Sequence, residues 1–319
     1  MSGSFNKIDY RLRPAKHAER QMFVELVRRL RFIPAEDYRY VGFGSVGFID
    51  FRLFYRAVGI TDMISIEGTE DAVEQERFSR NVPHDCVKIL FGQSNAVLPQ
   101  IKFDRPSIVW LDYDNALRRS MGSDLALVAG KAASGTFLAI SVPGVLGYNR
   151  TAEQREEEVA RLKSQFKEFL AIDTTASALV GRKYAEFVRS TLGQIVADAV
   201  ADADAGLQSE ADRRHVHQVC YFRYQDGLPM MSIGWLIVAE RDRHLMADSH
   251  LDDLVFYRDQ ADAYQIDVPI VTPLEIREME RRLPNLEAAN DLDWIPAAQR
   301  EAFARSARYL PHYVASEPA

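Results

Sequence analysis

Cysteine is almost missing from this sequence: Cys86 and Cys220 are the only two. They stand far apart and in neither metal nor redox spacing. That excludes a disulfide scaffold and leaves two buried free thiols as the expectation. Apolar runs of membrane-spanning length are lacking, and no charged-then-apolar leader opens the sequence, so a soluble cytoplasmic protein is expected. Low-complexity tracts and repeats are lacking too, which argues against solenoids and disordered arrays. Positive charge is in deficit. The net is -7, the wrong sign for coating nucleic acid or an anionic membrane. One stretch departs from that balance: Lys7, Arg11, Arg13, Lys16, Arg20, Arg28, Arg29 and Arg31 face only Asp9, Glu19 and Glu25. A solvated helix face is the expected reading of it.

What is present is a regular alternation of strand and helix signals. Met22, Phe23, Leu26, Val27 and Leu30 recur at helical spacing and predict a helix from Pro14 to Leu30. Strands are predicted over Tyr38 to Val41, Met63 to Ile66, Val87 to Phe91, Ile108 to Leu111 and Thr136 to Val142. Helices are predicted between them, over Ile49 to Ala57, Glu70 to Arg80 and Leu125 to Ala133. This pitch requires right-handed crossovers, hence an α/β fold with an open, doubly wound, mostly parallel sheet. Two long helical stretches follow, Ala152 to Leu170 and Leu179 to Ala203. Next come two strand-like runs, Val216 to Tyr224 and Met230 to Ala239, joined by the turn-rich Gln225 to Pro229. The pair predicts a terminal antiparallel hairpin. The expected organisation is an N-terminal helical segment at 1–36, a main domain at 37–246 with a helical insertion at 148–214, and a C-terminal helical appendage at 247–319. Within the appendage, Thr272-Pro273-Leu274-Glu275 has the cap, proline and acid of a helix start.

One loop carries chemistry. Gly42, Gly44 and Gly47 form G-x-G-x-x-G directly after the first strand. The first glycine would permit a sharp turn, the second a close approach of the backbone to a ligand, the third tight helix–strand packing. Glu67 follows Gly47 by twenty positions, at the end of the next strand, where a carboxylate can accept both ribose hydroxyls of an adenosine. Ligands bind beyond the carboxyl ends of such strands. A nicotinamide dehydrogenase uses the same loop and acid. Asp112-Tyr113-Asp114 at the end of the fourth strand, and the terminal hairpin, count against that alternative.

The run Tyr40 to Asp50, the Ser65-Ile66-Glu67 strand end, Gln93-Ser94-Asn95 and Val109 to Asp114 resemble the cofactor motifs of class I S-adenosylmethionine-dependent methyltransferases. More narrowly, Tyr10-Arg11-Leu12-Arg13-Pro14-Ala15-Lys16 and Trp110-Leu111-Asp112-Tyr113-Asp114 resemble bacterial proteins described as O-methyltransferases. The resemblance covers residues 8 to 240 or so. It implies a Rossmann-like sheet whose last strand runs antiparallel, S-adenosylmethionine as cofactor, and methyl transfer, with oxygen the expected acceptor atom. Gly42, Gly44 and Gly47 would pass the methionine part of the cofactor, Glu67 would hold the ribose, and Gln93, Ser94 and Asn95 would lie by the adenine. Asp112 would stand near the sulfonium. Many class I enzymes carry an acid just before the first glycine. Here Tyr40 and Val41 stand there, so Asp50 or Asp112 would have to meet the methionine ammonium, or the protein binds the nucleotide without turnover.

Candidate catalytic residues are Asp112 and Asp114, with His84 a weaker base candidate on the wrong side of the sheet. Asp112, Asp114 and Asn115 offer oxygen ligands, but nothing after the fifth strand completes a cation site, so no metal is expected. The Asn- or Asp-Pro-Pro-aromatic motif of base-amino methyltransferases is absent, which lowers the expectation of a nucleic-acid substrate. Arg13 and Lys16 are read either as a surface pair or as cations closing over a carboxylate. His215 and His217 share one side of a strand and are read as exposed residues. The long helices would suit a homodimer contact, though no heptad pattern commits them to one. The methyl acceptor is not legible in the sequence.

Overall fold

The computed structural model describes residues 13–286 and 290–311. Tyr10, Arg11 and Leu12, with the cations Lys7 and Arg11, lie outside the described residues.

The structure is α/β. An eight-stranded sheet runs in the order β3-β2-β1-β4-β5-β7-β6-β8. The strands are β1 (Arg39–Gly42), β2 (Asp62–Glu67), β3 (Val87–Phe91), β4 (Ser107–Asp112), β5 (Thr136–Pro143), β6 (Arg214–Gln225), β7 (Pro229–Ala239) and β8 (Tyr264–Ile266). The first five pair in parallel, and β7 lies antiparallel between β5 and β6. All eight residues of β5 are buried. That is the expected state of a central strand covered on both faces, and it explains the apolar run Phe137 to Ile140.

The helices are α1 (Pro14–Arg29), α2 (Ile49–Val58), α3 (Ala72–Asn81), α4 (Ser94–Val97), α5 (Arg119–Lys131), α6 (Ala152–Gln165), α7 (Arg182–Asp204), α8 (Arg243–Asp248), α9 (Pro273–Glu280) and α10 (Ala297–Ser306). Each predicted strand and helix up to Ala239 is present, with shifted ends. α5 starts six residues before the predicted Leu125, because Arg119 to Asp124 holds little apolar periodicity to announce a helix. α7 shares one core cluster with α5, β4 and β5. On the opposite face α1 and α2 pack over Tyr40, Trp110 and Phe222, with the Phe23 and Trp110 rings edge-on at 4.7 Å.

Two expectations change here. The C-terminal stretch is not wholly helical, since β8 adds a parallel edge strand beside β6; three residues are too few to show a strand's alternation. The basic N-terminal helix is solvated only toward its end, where Arg28 is exposed and Arg29 half-buried; its first turns are not. Lys16 and Glu19 have no exposed surface and Arg20 only 4%. Amphipathic spacing locates the apolar face of a helix but cannot show that charged neighbours share it.

The Thr272–Glu275 capping box is present in both directions. Ile295 is buried with Met279, Leu286 and Phe303 while Trp294 stays exposed, and the Tyr309 hydroxyl donates to Glu25 of α1 at 2.6 Å. Cys220 is buried, Cys86 half-buried, and both are free.

The start of α1 is held from a distance. Its N-cap residue, Arg13, gives no side-chain cap, but Asp226, in the β6–β7 turn, accepts the amide protons of Ala15 and Lys16 at 3.0 and 2.8 Å. A carboxylate satisfies amides that the first helical turn leaves without partners, and it favours the positive end of the helix dipole. Asp226→Ala is expected to cost about 1–2 kcal/mol of stability, read as a lower urea midpoint at unchanged slope. A change below the error of the fit would show that the turn does not hold the helix.

Candidate active site

Register places the site. Gly42, the last residue of β1, pairs with Ser65 on β2 and with Trp110 on β4. Two residues further along each neighbour stand Glu67 and Asp112. Side chains repeat every second residue along a strand, so Glu67 follows Ser65 and Asp112 follows Trp110 on the same face. The two carboxylates therefore flank the loop after β1 at equal depth, at the open end of the parallel strands. A cavity of about 1050 Å³ lies there, lined by the 43–47 loop, Glu67, Gly92 to Ser94 and Asp112 to Asn115.

The loop follows the glycine pattern, but by a different mechanism from the one expected. None of its three glycines takes a left-handed backbone; Ser45 and Phe48 do, at φ 52° and 46°. Gly44 is required by crowding, since a Cβ there would lie 2.6 Å from both the Phe48 ring and Ser65 Oγ. Gly42 meets Tyr40 Oη at 2.8 Å and the Trp110 carbonyl oxygen at 3.2 Å in the same test. Gly47 is exposed and would meet nothing nearer than Ile49 at 3.4 Å, so tight helix–strand packing is not its role.

Glu67 is tied to this loop. Its Oε1 accepts from the Gly44 amide at 2.8 Å and from Ser65 Oγ at 2.6 Å. Burial pushes its carboxyl up to about 7, and the Ser65 hydroxyl and the loop amides only partly offset that. Asp112 stands in the opposite situation. Burial would raise it too, but the Lys16 ammonium, 2.8 Å from Oδ1, holds it below the usual carboxylate range.

Lys16 is the centre of a buried cluster. Its Nζ also meets Glu19 at 2.7 Å, the Tyr224 hydroxyl at 3.1 Å and Ser141 Oγ at 3.4 Å, and lies 4.3 Å over the Trp110 ring. Burial alone would depress an ammonium, yet Asp112 and Glu19 raise Lys16 above its ordinary value. Glu19 is itself raised by burial, against the pull of Lys16. One turn on, Arg20 Nε donates to Asp50 at the start of α2, and both residues line the cavity. Among the described residues, the carboxylates Asp50, Glu67, Glu70, Asp71, Glu74, Asp112 and Asp114 line this space against a single cation, Arg20.

The sequence-predicted residues separate accordingly. Gly44, Gly47, Glu67, Gln93, Ser94, Asp112 and Asp114 line the cavity. Gly42 is buried just behind it. Asn95 is exposed on α4 and outside the lining. Gln93 donates to the Gly68 carbonyl at 3.0 Å, and Ser94 shares Asp124 with the Tyr113 hydroxyl. His84 stacks on Tyr55 at 4.0 Å, outside the lining. His215 and His217 line a separate space of about 310 Å³ with Glu240 and Arg243. No cluster of three or more metal-ligand side chains occurs among the described residues. Sequence reasoning missed Arg20 and the joining of Lys16 to Asp112. No spacing rule links residues 96 positions apart.

The family described as Putative O-methyltransferase matches residues 8–318. The chain belongs to this family. Among proteins of curated function, none matches the sequence. Solved structures similar to it include the O-methyltransferase TomG from Streptomyces achromogenes, in complex with S-adenosylmethionine, at 15% identity and TM-score 0.36, covering 73% of this chain and 92% of that one. An O-methyltransferase from Bacillus cereus is similar at 14% identity and TM-score 0.36, over 70% and 81% of the two chains. Trm1 from Pyrococcus horikoshii is similar at 11% identity and TM-score 0.43, over 72% and 56%. Among the described residues of this methyltransferase-family chain, no helix is long and apolar enough to cross a membrane.

Two measurements check the loop geometry. Gly44→Ala is expected to cost roughly 1–3 kcal/mol through forced displacement of Phe48 and Ser65, while Gly47→Ala stays within about 0.5 kcal/mol. Equal effects at the two positions would contradict the crowding argument. Glu67 binds its proton more tightly folded than unfolded, so its burial costs nothing below about pH 4.5 and its full amount above about 7. Glu67→Gln should gain on the native protein as pH rises through that window, by up to roughly 3 kcal/mol. A pH-independent difference in thermal midpoint would refute the shift.

Proposed function

We propose that this chain is an S-adenosylmethionine-dependent methyltransferase acting on an oxygen acceptor, with the donor in the cavity at the ends of β1, β2 and β4. One observation carries the proposal: the 43–47 loop, Glu67, Gln93-Ser94 and Asp112 converge on one acid-rich space. Among the described residues, seven carboxylates against one cation suit a ligand that is itself cationic, as a sulfonium with an α-ammonium is. The pyrophosphate of a nicotinamide cofactor would enter the same space against like charge. The cavity is also of the size that small-ligand sites take, a few hundred to about 1,000 Å³.

The residues present fit the donor. Glu67, on the cavity wall, would accept the ribose hydroxyls, and Gln93 and Ser94 would lie by the adenine edge. When bound, S-adenosylmethionine supplies an activated methyl group, and the protein orients the acceptor and handles its proton. Asp112 is held ionised by Lys16, so it acts as fixed negative charge near the sulfonium and is a poor proton acceptor. Asp114, two residues on and also on the cavity wall, is the better candidate for taking the acceptor's proton.

Calorimetry of the purified protein tests this reading. S-adenosylmethionine and S-adenosylhomocysteine should bind and NAD should not. Glu67→Ala should weaken both adenosyl ligands by about tenfold or more, the loss of hydrogen bonds to a charged group. Binding of NAD alone would end the assignment.

A further inference from the structure

Arg20 and Asp50 are an unusual pair to find at the wall of a ligand cavity. Their side chains are 5% and 8% exposed, and the contact joins α1 to the first turn of α2 directly beside the 43–47 loop. As a stabilising device such a pair is poor, because removing both charges from water costs about what their attraction returns. The pair is also incompletely used. Arg20 engages Asp50 through Nε, and among the described residues no acceptor meets its two Nη atoms. Asp50 accepts through Oδ1, and among the described residues no donor meets Oδ2. A guanidinium with unspent donors and a carboxylate with an unspent acceptor, held side by side, suit a group carrying an anionic and a cationic substituent on one carbon.

We infer that Arg20 and Asp50 form a clamp for the α-amino acid end of the donor, Arg20 taking the carboxylate and Asp50 the ammonium. The inference rests on the adenosyl reading of the cavity and deepens it. It accounts for two otherwise separate facts. Tyr40 and Val41 stand where class I enzymes often carry an acid before the first glycine. Tyr40 is spent on packing, its ring against Phe51 and Phe54 at 4.8 and 4.6 Å, so the strand offers no carboxylate. The first turn of α2 offers one instead. Among the described residues Arg20 is also the one cation in the lining, beside seven carboxylates. It offers a carboxylate ligand the planar fork that suits it. Methionine and its adenosyl derivatives have this amino acid end; methylthioadenosine, which keeps the adenosine and the sulfur, lacks it.

That difference gives the experiment. Affinities of S-adenosylhomocysteine and methylthioadenosine are measured by calorimetry on the full chain, for the native protein, Arg20→Gln and the double variant Arg20→Gln/Asp50→Asn. The native protein should prefer S-adenosylhomocysteine by at least about tenfold. In both variants that preference should collapse toward unity while methylthioadenosine binds as before, which also reports that the fold is intact. The double variant leaves no unpaired buried charge and guards against misfolding of the single one. Equal binding of the two ligands by the native protein would overturn the clamp, and so would a preference that survives in the variants. An equal loss of both ligands would assign the pair a structural role and overturn it as well. If the native protein binds neither ligand, the adenosyl reading itself fails, an outcome distinct from the others.

Discussion

The contact between Lys16 and Asp112 is the constraint on which the site depends. It fastens an N-terminal helix to the end of a central strand, with the ammonium fully withdrawn from water and the carboxylate largely so. An ammonium there needs more than one partner, and Glu19, Tyr224 and Ser141 complete its surroundings. With Arg20 and Asp50 included, two cations face three carboxylates. The charges balance if Glu19 keeps a proton, which is the direction its burial drives it. Removing Lys16 would strand a buried carboxylate, the costly case for any buried pair. The helix is therefore part of the site wall, and the β6–β7 turn takes part through Asp226.

The rest of the geometry follows from sheet register. Parallel strands β2 and β4 each run two residues beyond the end of β1 between them, so the residues two positions past the paired Ser65 and Trp110 reach the same depth. That alone brings Glu67 and Asp112 to opposite sides of one loop. Their environments then drive them apart in character. Glu67, with neutral donors only, has its proton affinity raised by burial. Asp112, beside an ammonium, is locked as an anion. Two acids with similar sequence settings thus differ in proton affinity, and the division is made by what packs behind them.

Much of this was legible beforehand. The alternation of strands and helices, the parallel order, the hairpin, the capping box at Thr272 and the glycine loop with its acid all rest on local periodicity or short spacing, which a chain displays without being folded. What escaped was non-local. A solvated helix face holds at Arg28 and fails at Lys16, Glu19 and Arg20, because charge is written in the sequence and burial is not. Gly47 was assigned a packing role that falls to Gly44, since the spacing of glycines shows where a loop is and not which atoms crowd it. Asn95 was grouped with Gln93 and Ser94 by adjacency, but the start of α4 turns it to the outside.

By itself, then, the sequence determined the α/β class, the loop at 42–47, and the acids at 67 and 112. These depend on propensities and spacings within about twenty residues, and local sterics and hydrogen bonding enforce them. Tertiary structure alone decided that Lys16 would meet Asp112 and that Arg20 would meet Asp50. Those pairings span 96 and 30 residues, and they exist only because the docking of α1 across the sheet brings together charges that, in the unfolded chain, would each remain in water.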